Sequence, residues 1–237
     1  EVSKGPPFFL SKIHFRFRYI YMRVKISVPN DLSEIKLWQY QKFLEIQKQN
    51  SDENFLASKM IEIFCGIELK EAYKMKAKDV HRITGILADM FEQKPVLINR
   101  FYLNNIEYGF IPNLDDMTLG EYVDLDTYLP KWEEIEKAMA VLYRPITKTY
   151  KGKYQIEDYT AQGQDAYKDM PMSIVFGAMF FFYRLGIDLS KIMTFYLEQN
   201  KDIHSQLSHS LGKNGDGINQ FMHSLKGILE DLRISLN

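Results

Sequence analysis

The chain has one cysteine, Cys65, among 237 residues. That excludes an intramolecular disulfide and any cysteine-rich zinc site, and it suits a reducing compartment or a virion. Cys65 follows the apolar run Met60-Ile61-Glu62-Ile63-Phe64, so a structural thiol is expected rather than a nucleophile. Charge of one sign is also missing. The formal net charge is −1, which gives no global pull toward nucleic acid. No uninterrupted apolar run approaches the ~18 residues of a membrane span. The arginines Arg16, Arg18 and Arg23 interrupt the only stretch placed where a secretory signal would lie. The motifs G-x-S-x-G, H-E-x-x-H and G-x-G-x-x-G do not occur. No repeat recurs at a fixed period, and no βαβ alternation supports a doubly wound sheet.

Aromatic residues are plentiful, with 16 Phe and 15 Tyr against 2 Trp. Buried aromatics fill cores, and exposed ones favour contact surfaces. The stretch from Phe101 to Arg144 is the most informative. Two aromatic-rich runs flank Asn104-Asn105, and asparagine tolerates the positive φ of a tight hairpin turn. A hairpin is predicted near 100–112. Asp116 or Thr118 then caps a helix through Leu119, Tyr122, Val123 and Leu125. Nine acids lie between Asn104 and Glu136, opposed only by Lys131. This is a compact acidic unit.

A second hairpin is predicted near 146–156, turning at Lys151-Gly152. Arg144, Lys148, Lys151 and Lys153 make that arm basic. Helical spacing predicts further helices. One starts at about Leu37. One is capped by Asp52 and ended by Gly66. One is capped by Asp79 and stopped before Pro95. Trp132 to Leu142 is another. Met172 to Leu185 is the most apolar, with Gly186 as its C-cap and a new helix from Asp188 or Ser190. A last helix is expected from Ile218 to about Leu232. The fold class is therefore α+β, predominantly helical, with one or two β-hairpins. Residues 22–237 read as a single mainly helical domain carrying the two hairpins as insertions. Residues 1–21 read as a basic N-terminal extension or arm, with Met22 a natural start.

Several groupings invite chemistry. Gly212 to Gly217 lacks the spacing of a phosphate loop. His204 and His209 are five apart, which does not align two ligands on one helical face. Asp115, Asp116, Glu121, Asp124 and Asp126 do not follow a calcium-loop pattern, and acids at a helix start answer its dipole. A metal-dependent enzyme built on the 115–126 acids is the alternative from another class. A nucleic-acid-binding accessory protein using the basic arm 144–153 is a third. No cofactor or metal is expected. Contact by protein surfaces is favoured, with Tyr108, Phe110, Asp115, Asp116, Glu121, Tyr122, Arg144, Lys148, Lys151 and Lys153 as the candidate contact residues.

A resemblance adds to this. The segments Leu32 to Phe43, Phe91-Glu92-Gln93-Lys94-Pro95, Gly109 to Tyr122 and Leu142 to Ile146 resemble small proteins encoded in tailed-bacteriophage genomes. Those are commonly labelled tail-assembly chaperones or uncharacterised virion proteins. The resemblance covers about residues 22–237 and brings no catalytic residues with it. It implies a non-enzymatic role in virion or tail assembly, in the virion or the host cytoplasm. The partners it implies are other phage virion or tail proteins, or further copies in a homo-oligomer. Neither membrane nor nucleic acid is expected as a partner.

Overall fold

The computed structural model describes residues 14–16 and 25–199. The glycine-rich stretch 212–217, the histidines at 204, 209 and 223, the predicted last helix and most of residues 1–21 lie outside them. A short strand β1 (His14–Arg16) pairs antiparallel with β2 (Lys25–Ser27). The helices α1 (Leu37–Gln49), α2 (Glu53–Cys65), α3 (Leu69–Ala72) and α4 (Ala77–Phe91) follow. Asp52 caps α2 by accepting from the Phe55 amide, and Gly66 ends it at φ 67°. Asp79 does not cap α4. The helix starts three residues earlier, at Ala77, so Asp79 falls in its first turn and pairs with Arg82 at 3.2 Å.

Next come β3 (Arg100–Leu103) and β4 (Ile106–Phe110), then α5 (Leu119–Tyr128) and α6 (Ile135–Leu142). Strands β5 (Tyr143–Tyr150) and β6 (Lys153–Ile156) and the long helix α7 (Met172–Gln199) complete the described order. The fold is α+β and mainly helical. Helix α6 passes into β5 without a loop, and Trp132–Glu134 is a 3-10 turn ahead of it. Gly186 does not end the apolar helix, which runs on through Asp188 to Gln199. Neighbouring turns hold one poorly helical residue in place, because each glycine costs only about 1 kcal/mol.

Both predicted hairpins form. Asn104 and Asn105 take φ of 50° and 64°, and Lys151 and Gly152 take 47° and 79°. Two successive positive values are what a two-residue hairpin turn needs to match the strand twist. The hairpins are not separate insertions. Strand β4 pairs with the first half of β5, giving one antiparallel sheet in the order β3-β4-β5-β6. A register shift between Ile146 and Lys148 bends β5 where it changes partner from β4 to β6.

Gly109 makes this bend workable. The Tyr154 ring of β6 packs against it, so a Cβ there would meet Tyr154 Cδ2 at 2.8 Å and Ile146 Cγ1 at 3.0 Å. Tyr154 Oη donates to the Phe110 carbonyl at 2.7 Å, which fixes the ring. Most aromatics fill the core. Tyr40, Phe43, Phe64, Phe91, Trp132 and Phe176 join α1, α2, α4 and α7. Phe101, Tyr108, Phe110 and Tyr143 continue that core under the sheet, where Phe181 and Phe182 meet Phe110.

Candidate functional site

Four of the ten candidate contact residues are inside the chain. Tyr108 and Phe110 alternate onto the core face of β4 and are buried. The alternation of a strand on a packed face puts them there. Glu121 and Arg144 are buried as well and form an ion pair, Nη1 to Oε1 2.7 Å. So the two most interior charges of the acidic unit and the basic arm neutralise each other within one chain. They are corrected from contact residues to structural ones.

Helix α5 positions Glu121 through its cap. The Thr118 amide donates to Glu121 Oε2 at 2.7 Å, and the Glu121 amide donates to Thr118 Oγ1 at 3.3 Å. This reciprocal pair is a capping box, which the spacing Thr118-Leu119-Gly120-Glu121 encodes. Burial alone would raise the Glu121 pKa. The hydrogen bonds from Thr118 and the Arg144 guanidinium outweigh it and hold the carboxyl below its ordinary value. Arg144 Nε is buried without a protein partner. The pair forms one wall of an open cleft of about 430 Å³, lined also by Asn113, Asp116, Glu157, Asp158 and Tyr159. Tyr159 Oη donates to Asp124 at 2.8 Å, and burial followed by that bond raises its pKa.

The acids therefore do not converge. Glu121 turns inward to Arg144, and Asp124 serves Tyr159, while Asp115, Asp116 and Asp126 face solvent. Among the described residues no three His, Cys, Asp or Glu side chains are grouped to hold a metal ion. No helix among them is long and apolar enough to cross a membrane.

What remains outside is two surfaces. The first is the outer side of α5. Leu119, Tyr122 and Val123 are 78%, 55% and 51% exposed. Their i, i+3, i+4 spacing makes one stripe, continued by Asp126 and preceded by Asp115 and Asp116. Glu121 and Leu125 turn another side of the helix to the interior, and Leu129, just past its end, is buried. The second surface is the far end of the β5-β6 hairpin. Tyr150 pairs across the strands with Lys153, and Lys148 with Gln155. Lys148, Tyr150 and Lys153 therefore share one face, with Lys151 at the turn. Tyr150 is 72% exposed, and the Lys151 ammonium lies 5.2 Å from its ring centre. Of the sequence candidates, Asp115, Asp116 and Tyr122 belong to the first surface and Lys148, Lys151 and Lys153 to the second.

Sequence reasoning named Tyr122 but missed Leu119 and Val123 beside it, because an apolar residue on a helix reads as core by default. A signal was present. Leu119, Tyr122 and Val123 share a side that Leu125 does not, so the apolar residues of α5 do not form one face. It also missed a groove of about 760 Å³ between α1, α2 and α4, floored by Tyr40, Phe43, Met60 and Phe91. Gly85 and Ala88 of α4 line it, and their small side chains widen it.

No family model matches the chain, and no curated protein or solved structure is significantly similar to it.

Proposed function

We propose that this protein works by protein–protein contact in the assembly of a tailed-phage particle, as a tail-assembly chaperone or a structural component, without a catalytic role. The observation that carries this reading is the stripe of Leu119, Tyr122 and Val123, left in solvent on an otherwise anchored helix and bordered by Asp115, Asp116 and Asp126. A contiguous apolar patch rimmed by charge is the usual form of a contact surface. The basic, tyrosine-bearing hairpin end supplies a second contact element of opposite sign. The phage assignment rests on the sequence resemblance. It implies other virion or tail proteins as partners and the virion or the host cytoplasm as the location.

The reading is tested by retrieving tagged full-length chain from phage-producing cells and identifying what stays bound. Particle or tail proteins are expected, and they are lost with Leu119→Glu and Val123→Glu, which leave the core untouched. Retrieval of no particle protein, or retention unchanged in both variants, overturns it.

A further inference from the structure

We propose that the protein self-associates head to tail, the basic end of the β5-β6 hairpin of one copy seating on the acid-bordered outer side of α5 of the next. This deepens the assembly reading and rests on it by naming one partner, a second copy of the chain.

Charge complementarity carries the proposal. From Thr147 to Gln155 the hairpin holds Lys148, Lys151 and Lys153 and no acid. From Asn113 to Tyr128 the other surface holds five acids and no base. Two of those five, Glu121 and Asp124, are engaged inside, which leaves Asp115, Asp116 and Asp126 at the border. None of these three acids or three lysines forms an ion pair among the described residues. Apolar groups match as well. Tyr150 stands between Lys148 and Lys153, as Leu119, Tyr122 and Val123 stand between the acids.

The two surfaces do not cover each other within one chain. Tyr150 and Leu119 are 72% and 78% exposed. Arg144, held by α5 through Glu121, lies six residues before Tyr150 on β5. At about 3.3 Å per residue the hairpin end is about 20 Å along the strand from that anchor. The two patches are different surfaces, so the contact is heterologous and propagates into a ring or an open filament. It is small, which makes it weak and dependent on concentration. Its charges are exposed, which makes it salt-sensitive. The screening length falls from about 10 Å at 0.1 M salt to about 3 Å at 1 M.

The test is the solution mass of the full chain by light scattering over a concentration series, in low and high salt. The expected mass in low salt exceeds the 27.9 kDa of one chain and returns to it in high salt. Two charge-reversed proteins are then compared. Lys148→Glu with Lys153→Glu keeps the acidic surface only, and Asp115→Lys with Asp126→Lys keeps the basic one only. All four positions are exposed, so folding is retained, which circular dichroism checks. Each is expected to be monomeric alone. Mixed in equal amounts they are expected to associate again in low salt, because the acidic α5 side of the first meets the basic hairpin of the second and the two reversed surfaces also carry opposite signs; a mixture that stays monomeric overturns the proposal. A wild-type monomer at every concentration and salt overturns the proposal. So does an oligomer that survives either reversal. A monomeric wild type that still retains particle proteins refutes self-association and leaves the assembly reading standing. A salt-sensitive oligomer that retains no particle protein does the reverse.

Discussion

Replacing Glu121 by Ala removes the one carboxylate that neutralises the buried Arg144. In the native chain Glu121 gives one oxygen to Arg144 at 2.7 Å and the other to the Thr118 amide at 2.7 Å. Its loss leaves a guanidinium with one nitrogen, Nε, already without a protein partner. Breaking a buried pair from one side costs about 3 kcal/mol or more, because the remaining charge stays out of water. The lost cap contributes about 1 kcal/mol, part of the same carboxylate's work rather than an independent addition. Equilibrium urea unfolding should show the midpoint falling by about 1–2 M for a slope near 2 kcal/mol per M. Glu121→Gln separates the two roles, since glutamine completes a capping box but carries no charge. It should lose most of the same stability near neutral pH. The pH dependence has a definite sign. The Glu121 pKa is lowered on folding, so its contribution is fully present above the unfolded carboxyl value of about 4.3 and is lost as pH falls through the lower folded value. The gap between wild type and Glu121→Gln should close over that acid range. Adding Arg144→Leu to Glu121→Ala should recover part of the loss. A cost for Glu121→Ala below about 1 kcal/mol would mean that water in the cleft solvates Arg144, and the reasoning would be refuted.

Three further outcomes are expected. Gly109→Ala should destabilise by about 1–3 kcal/mol, because its methyl meets the fixed Tyr154 ring. The same change in a Tyr154→Ala background should cost much less in a urea double-mutant cycle, and equal costs would refute the contact. Gly177→Ala on α7 should also cost about 1–3 kcal/mol, since the new carbon meets the Val96 carbonyl and lies 3.3 Å from Leu97 Cα, both backbone. Thermal melting checks it, and an unchanged midpoint would show that the 96–97 segment yields freely. Burial pushes the Cys65 thiol up to about 12, so it stays protonated at pH 8. Alkylation should be slow in the native chain and fast in denaturant, and equal rates would place the thiol in solvent.

The sequence by itself determined the local structure. The pairs Asn104-Asn105 and Lys151-Gly152 fixed both hairpin turns through residues suited to positive φ, and Asp52, Thr118 and Gly66 marked helix ends by capping chemistry. These signals act within four residues, so they survive in one dimension. Two local signals did not set the bounds of their elements. Gly186 did not end α7, and Asp79 took a place inside the first turn of α4 rather than at its cap. Only the tertiary structure decided what each side chain faces. It joined the two hairpins into one sheet through β4 and β5, which lie over thirty positions apart. It drew Glu121 and Arg144 together from segments that read as separate acidic and basic surfaces. It turned Tyr108 and Phe110 inward and left Leu119, Tyr122 and Val123 outside. Charge and hydropathy are properties of residues, but exposure depends on which other segments arrive. That is why the sequence named six residues that are exposed and four that are not, with nothing local to tell them apart.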